Sequence, residues 1–346
     1  MDYAIVWSVL IPVALFIYMA LDGFDLGIGL LFPLGSNSQS RENMMNSIAP
    51  IWDTNETWLV LAAGGLYGIF PKAYVFIFNA LYVPLIAMLI CLIFRGVSFE
   101  FRFKSPERFK WVWSTFFFLG SLGMSVCQGI IFGQLIQGFQ TIEGQFNHDY
   151  WAWLNTFNFC VAGLIVLFYA FMGANFLIYR LKDAEKQRFV CASKGLIIVT
   201  AVYFIALVGA SGYYVVHDAS ADLSFPSGKH LAQRFHEFYS VYIGLFAIIG
   251  LITVKLYRSL SAKEMSDFAP FLYGVALLAT VFGGVVFLGW PYIVPGALTI
   301  WQASSLPETQ KLMFFGALIF LPLILGYSMY NFYIFRGKVA DQKFYH

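Results

Sequence analysis

The sequence predicts an all-α, polytopic membrane protein. Of its 346 residues, 60% are hydrophobic and only 12% are charged, and the mean hydropathy is +0.72, whereas soluble globular chains carry about 25% charged residues. The longest stretch outside the apolar runs lies between His217 and Glu237, which is shorter than the roughly 50-residue lower limit of a domain. We therefore expect a single integral membrane domain over residues 1–346.

Nine apolar runs are long enough to cross the hydrocarbon layer, which takes about 20 helical residues. They cover residues 4–32, 51–70, 73–94, 111–139, 151–179, 189–216, 238–257, 268–290 and 312–335. The first run has no Lys or Arg before it, so we expect a retained helix and not a secretory signal peptide, which has a basic leading region. The second run has too few apolar residues between Trp58 and Pro71 to span, so the helix must begin near Ile51.

These nine helices are predicted to form two four-helix bundles plus one extra helix. The hypothesis places the two halves at residues 1–140 and 150–290 and the last helix at 312–335. With the N-terminus outside, only four of the 21 Lys and Arg residues lie in outer connections: Lys72, Lys229, Arg234 and Lys311. Basic residues favour the cytoplasmic side, so we expect an outside N-terminus and a cytoplasmic C-terminus. The net charge of +2 indicates no nucleic-acid partner.

Two acidic motifs interrupt this apolar pattern. The first is Asp22-Gly-Phe-Asp25 near the end of the first helix, and the second is Trp52-Asp53-Thr-Asn-Glu56 at the start of the second helix. Because the first helix runs inward and the second runs outward, both motifs are predicted at the cytoplasmic side. Ionisable groups near hydrocarbon are costly, so they indicate a proton or ion path, or a buried contact with a partner.

For the second motif, helix capping explains the acids as well as function does. Asp53 and Glu56 have the spacing of a capping box, and acids are favoured at a helix N-terminus by its dipole. Both interpretations remain open at this point.

For the first motif, a structural explanation is harder. Asp22 and Asp25 share one helix face but lie near a helix C-terminus, where the dipole opposes acids. Arg95, at the inner end of the third helix, is the candidate ion-pair partner. Gly23 and Gly27 form a small-xxx-small pair that permits a close helix contact.

Histidine placement argues against a haem in this chain. Membrane haems usually take axial His ligands, and the helix map puts none of the five His residues at mid-membrane: His148, His217, His230, His236 and His346. His217, His230 and His236 could bind a metal, although solvated loop histidines are commoner. The four Cys residues lack CxxC spacing and are expected to be ordinary packing residues. We predict no metal site, no cofactor bound by this chain and no catalytic residue.

Several segments, in order along most of the chain, resemble subunit II of cytochrome bd-type quinol oxidases. The two acidic motifs are the specific part of this resemblance. The matching segments are residues 22–29, 46–50, 52–58, 94–95, 133–138 and 291–301.

The resemblance implies a heterodimer in a bacterial cytoplasmic membrane with a haem-bearing subunit I, which holds the b- and d-type haems and the quinol site. Such a complex oxidises quinol and reduces dioxygen to water with cytoplasmic protons. Subunit II carries no haem, stabilises its partner and helps to form a proton inlet at the subunit boundary. Some relatives hold a structural quinone in this subunit, and a small single-helix subunit is an optional further partner.

The resemblance also assigns roles to residues of this chain. Asp25 and Asp53 match the acidic positions of the proton inlet, and Asp22 and Glu56 are flanking candidates. We expect structural or interface roles for four further residues: Trp52, Arg95, Gly23 and Gly27.

Two other classes of protein remain as alternatives. A proton-coupled secondary transporter would show helix breaks at mid-membrane in corresponding positions of two repeats, whereas the Pro residues here lie near helix ends or at isolated sites. A purely structural assembly protein would tolerate neutralisation of the acids. The resemblance favours the oxidase subunit over both.

Overall fold

The chain is built almost entirely of helices. The computed structural model describes residues 2–139, 141–142, 145–146, 150–217, 237–262 and 266–339. Within these residues the strands form two short antiparallel hairpins: β1 (Thr141–Ile142) with β2 (Gln145–Phe146), and β3 (Tyr292–Val294) with β4 (Leu298–Thr299). The predicted all-α class is confirmed.

Twelve α-helices follow one another in the described part of the chain. They are α1 (Tyr3–Leu31), α2 (Ser38–Asn46), α3 (Trp52–Ile69), α4 (Pro71–Ala80), α5 (Tyr82–Lys104), α6 (Lys110–Gln137), α7 (Thr156–Arg180), α8 (Asp183–His217), α9 (Tyr239–Ser261), α10 (Ala269–Gly289), α11 (Ile300–Ala303) and α12 (Pro307–Ile334). Short 3₁₀ turns follow α1 and precede α6.

Eight of these helices are long and apolar enough to cross a membrane. They are α1, α5, α6, α7, α8, α9, α10 and α12. The remaining predicted span, residues 51–70, is helix α3, whose 18 residues reach about 27 Å at 1.5 Å per residue. That length is slightly less than the roughly 30 Å hydrocarbon layer. The count of nine spans therefore stays a prediction.

The predicted continuous helix over residues 73–94 is wrong. Helix α4 ends at Ala80, Leu81 leaves helical geometry, and α5 begins at Tyr82 and continues to Lys104. Pro84 explains the break, because its ring would clash with the carbonyl group of Ala80 in a continuous helix. Near the start of α5 the missing N–H group of proline does no harm, since that donor has no partner within the helix.

The start of α7 also differs from the sequence prediction. The helix begins at Thr156 and not at Trp151, because the side chain of Asn155 caps it by accepting a hydrogen bond from the Asn158 backbone N–H (3.0 Å). The other predicted spans agree with the observed helices within six residues at each end.

Helix α1 lies at the centre of the bundle, where it contacts α3, α6, α7, α10 and α12. Its eight residues from Asp22 to Gly29 are all buried. The contact with α7 is made by backbone: a Cβ at Gly27 would overlap the carbonyl oxygen of Tyr169, and one at Gly173 would overlap the backbone of Gly27. Glycine is needed here because the two helices touch where a side chain would stand.

Hydrogen bonds and ion pairs hold the residues that follow α12 against the rest of the described structure. The Arg180 guanidinium donates to the carbonyl oxygens of Phe335 and Gly337 (both 2.5 Å). Asp267 pairs with Lys186 and Lys338 (both 2.5 Å). Burial alone would raise the pKa of Asp267, but hydrogen bonds from Lys186 and Lys338 outweigh it and hold the pKa below its ordinary value.

We expect the Gly27→Ala substitution to destabilise the fold, because the added methyl group must push α1 away from α7. Overpacking of this kind costs about 1–3 kcal/mol or more. The measurement is the thermal unfolding midpoint of the purified protein in mild detergent. Gly195→Ala in α8 is the matched control, since a Cβ there meets no atom within 4 Å. Equal midpoints for the two variants would contradict the α1–α7 contact described here.

Candidate functional site

A buried cluster of charged residues lies where α1 ends and α3 begins. Asp22 and Asp25 come from α1, one turn apart, and Glu56 comes from the first turns of α3. Asp22 and Asp25 are completely buried, whereas the Glu56 side chain keeps 14% of its surface exposed. We call these three residues, together with Arg95, the carboxylate cluster.

Arg95 of α5 is the cation at the centre of the carboxylate cluster. Its Nη1 lies 2.7 Å from Asp22 Oδ1 and 3.3 Å from Glu56 Oε1, and its Nη2 lies 3.7 Å from Asp25 Oδ2. The guanidinium is fully buried. Gly120 of α6 lets helix α5 approach closely at this point: a Cβ at Gly120 would stand 2.8 Å from the carbonyl oxygen of Cys91 and 2.9 Å from the backbone nitrogen of Arg95.

The carboxylate cluster has more acids than bases. One guanidinium faces three carboxyl groups, so full ionisation would leave two buried negative charges uncompensated within this group. An unpaired buried charge costs several kcal/mol, and such groups respond by taking up a proton. The arrangement is therefore suited to holding and exchanging protons.

Asn55 completes the surroundings of Asp25. Its Nδ2 donates to Asp25 Oδ2 (2.8 Å), while Asp25 Oδ1 is buried without a hydrogen-bond partner. The neighbouring Thr54 accepts a hydrogen bond from Asn331 of α12 (3.2 Å). The start of α3 is therefore tied to both α1 and α12. Asn55 is part of the second acidic motif, but the sequence alone does not indicate its contact with Asp25.

Asp53 does not join the carboxylate cluster. It is the second residue of α3 and is exposed. The predicted capping box is wrong: the residue before the helix is Ile51, it makes no side-chain capping bond, and Glu56 is directed to Arg95. Asp53 does lie in the first turn of α3, where the helix dipole favours an acid. Trp52, beside Asp53, stacks on Phe99 of α5 with ring centroids 5.0 Å apart.

The exposed face of α3 that contains Asp53 continues along the helix. Residues at helical spacing are exposed on this stripe: Asp53, Thr57, Val60, Gly64 and Tyr67. The stripe mixes acidic, polar, small and aromatic residues, unlike the uniformly apolar surface expected against lipid tails.

A second buried network begins beside Asp22. The Tyr18 hydroxyl faces Asp22, one helical turn away. Gln128 of α6 donates from Nε2 to Tyr18 Oη (2.7 Å), and Tyr169 of α7 donates to Gln128 Oε1 (2.7 Å). Neither tyrosine stands out in the sequence; the one signal of this network is Gln128, a polar residue in an apolar helix.

The described residues contain no group of three or more His, Cys, Asp or Glu side chains that could hold a metal ion. The only His in the described ranges, His217, is the last residue of α8. The other four, His148, His230, His236 and His346, lie outside the described residues.

Comparison with known proteins gives a consistent result. The family model "Cytochrome bd terminal oxidase subunit II" matches residues 3–335. The cytochrome bd-I ubiquinol oxidase subunit 2 of Escherichia coli strain K12 is 28% identical over 368 residues, covering 99% of this chain and 97% of that protein. The cytochrome bd ubiquinol oxidase subunit 2 of Bacillus subtilis strain 168 is 28% identical, with 97% of each chain covered.

A solved structure shares the fold. The bd oxidase from Geobacillus thermodenitrificans aligns with a TM-score of 0.75 and 18% identity, covering 95% of this chain and 97% of that chain. A likeness at this level of identity concerns the arrangement of helices.

We expect Arg95→Leu to reduce the amount of folded protein strongly, because it leaves the carboxylates without their shared cation. Removing one partner of a buried ion pair costs about 3–5 kcal/mol. The measurement is the yield and thermal midpoint of the detergent-extracted protein. Lys104→Leu, which removes a largely exposed ion pair with Glu100, is the control. An Arg95→Leu protein as stable as this control would show that the ion pairs carry no stability.

Proposed function

The chain belongs to the cytochrome bd terminal oxidase subunit II family, and from this premise we propose that it is the haem-free subunit that stabilises a haem-bearing subunit I and supplies it with protons. As a member of this family it is a multi-pass membrane protein and a subunit of a quinol oxidase, an oxidoreductase complex. In the proposed heterodimer the complex oxidises quinol and reduces dioxygen to water.

The observation that carries the proton role is the complete burial of Asp25 next to Arg95 and Asp22. A purely structural ion pair needs one carboxylate for one guanidinium. Here two further carboxyl groups lie in the same low-dielectric site. Burying them costs desolvation free energy, which apolar residues at these positions would not incur. Ionisable residues kept at such a cost within membrane helices commonly form proton relays.

The exposed position of Asp53 is consistent with the proposed supply of protons to subunit I. It is exposed on this chain, and the α3 stripe around it is not composed like a lipid-facing surface. We propose that subunit I covers this stripe, so that Asp53 lies at the boundary of the two subunits and Asp25 lies within subunit II. The proton inlet would then begin beside Asp53.

The haems belong to subunit I in this proposal. Axial haem ligands are commonly His, and the single His of the described ranges lies at the end of α8. The described residues of this chain therefore do not fit a membrane haem. A structural quinone in this subunit and a small single-helix subunit remain part of the proposal on family grounds.

We further propose that α3 crosses the membrane as the ninth span, with the N-terminus outside and the C-terminus in the cytoplasm. The Lys and Arg distribution over the connections supports this orientation. It puts the carboxylate cluster at the cytoplasmic side, where the protons for water formation are taken up. The bundle halves at residues 1–140 and 150–290 belong to the same proposal. A proton-coupled transporter is not favoured, because the family match extends over nearly the whole chain.

We expect this chain, extracted from its own membranes in mild detergent, to co-purify with a haem-bearing subunit. The reduced-minus-oxidised spectrum of the preparation should then show b- and d-type haem bands. The chain expressed without its partner is the control and should be colourless. A folded, colourless and partnerless preparation from native membranes would refute the heterodimer.

We expect Asp53→Asn to slow quinol-driven oxygen consumption by about tenfold or more, because loss of a proton-transferring group typically costs at least that much. The haem spectrum of the complex should be unchanged. Glu100→Gln is the control, since Glu100 is an exposed acid paired only along its own helix with Lys104. Normal turnover in a correctly assembled Asp53→Asn complex would exclude the relay, and loss of haem would instead assign Asp53 a role in assembly.

A further inference from the structure

The carboxyl groups of the carboxylate cluster differ in how far their side chains are exposed at the surface of this subunit. The side chains of Asp25 and Arg95 are fully buried and that of Asp22 is 1% exposed, whereas Glu56 is 14% exposed. A proton that reaches Asp25 from the surface must pass a group that touches both regions. Among the carboxyl groups of the cluster, Glu56 has that position.

Glu56 also stands between the two proposed relay acids. It lies three residues after Asp53 in α3, so both side chains emerge on neighbouring parts of one helix surface. On its inner side it shares the Arg95 guanidinium with Asp25. Helix α3 therefore carries an exposed acid, Asp53, and a largely buried acid, Glu56, in succession toward the fully buried Asp25.

The hold of Arg95 on Glu56 is weaker than its hold on Asp22. Both carboxylates approach the same Nη1 atom, but Asp22 does so at hydrogen-bond distance (2.7 Å) and Glu56 at 3.3 Å. The buried Glu56 Oε1 makes no hydrogen bond. A carboxyl group with one incomplete ion pair can gain and lose a proton with little rearrangement of its neighbours.

Asp22 makes the shortest contact with Arg95. The guanidinium donates to Asp22 Oδ1 (2.7 Å), whereas Glu56 and Asp25 lie 3.3 and 3.7 Å from it. Tyr18, one helical turn before Asp22, is fixed by Gln128, whose Nε2 donates to Tyr18 Oη and whose Oε1 accepts from Tyr169. Asp22 is therefore the carboxylate most firmly paired with the guanidinium.

We infer that Glu56 is the carboxyl group that passes protons from Asp53 at the surface to Asp25 inside, while Asp22 remains the fixed counterion of Arg95. This inference rests on the proposed proton-supply function and assigns the steps within it. In the transfer, the O–H bond of protonated Glu56 breaks and an O–H bond forms at Asp25. Asp25 has a buried Oδ1 without a hydrogen-bond partner, and we assign the new bond to Asp25 and not to Asp22 because Asp22 is the carboxylate at hydrogen-bond distance from Arg95. The released Glu56 carboxylate is stabilised by Arg95, and the charge of the cluster is unchanged.

The test is Glu56→Gln in the assembled complex. We expect the kcat of quinol-driven oxygen consumption to fall about tenfold or more, with the KM for quinol and the haem spectrum unchanged. Glu56→Asp, which keeps a carboxyl group, should retain more activity than the Gln variant. The Glu100→Gln complex should match the wild type.

The pH profile separates a proton step from a structural effect. Without Glu56 the protons must enter directly from solution, so the kcat of the Gln variant should rise more steeply toward acid pH than that of the wild type. The charged groups that face Glu56 are Arg95 of α5, Asp22 and Asp25 of α1, and Asp53 on its own helix. All of them remain in the variant.

Asp25→Asn distinguishes failure of this inference from failure of the proposed function. If Asp25→Asn slows turnover and Glu56→Gln does not, protons pass Asp25 by another route and the role of Glu56 is refuted. If neither variant slows turnover in a haem-replete complex, the proton-supply function itself is refuted. Loss of haem from the Glu56→Gln complex would make Glu56 a structural residue and would also overturn the inference.

Discussion

The buried guanidinium of Arg95 is the interaction on which the arrangement of the site depends. It joins the end of α1, the start of α3 and the middle of α5 through contacts with three carboxyl groups. A charge taken out of water is tolerated only when its partners are in place. The three helices therefore have one mutual arrangement in which none of them exposes an unpaired charge to hydrocarbon. This constraint explains why α3, although short and polar at its start, is held firmly against α1.

Glycines allow the helices around Arg95 to pack closely enough for these contacts to form. Gly27 and Gly173 let α1 and α7 touch without side chains between them, and Gly120 does the same for α6 beside Arg95. The ring of Tyr169 lies over Gly23, where a Cβ would stand 2.7 Å from it. From this position its hydroxyl reaches Gln128. The glycines thus bring polar side chains of three helices within hydrogen-bond distance in an otherwise apolar interior.

The long spans and both acidic motifs were predictable, because hydrophobicity and charge are properties of single segments. The pairing of Arg95 with the acids of α1 was anticipated from helix direction alone. The break at Leu81 was not, since it depends on the clash of Pro84 with the carbonyl of Ala80. Sequence spacing also placed Asp53 and Glu56 in one motif; the two are neighbours on α3, but only Glu56 reaches Arg95, while Asp53 stays exposed. The Tyr18–Gln128–Tyr169 network depends on how three helices meet, which no single segment encodes.

The separation between Asp22 and Arg95 along the chain has a consequence for synthesis. The two residues are 73 positions apart, which a ribosome covers in about 4–15 s at ~5–20 residues per second. During that interval the acids of α1 have no guanidinium from α5 to pair with, and an unpaired acid in a membrane helix is costly. The ion pairs between α1 and α5 can therefore form only after α5 has followed α1 out of the ribosome. Assembly of the carboxylate cluster is thus a late event in the synthesis of this part of the chain.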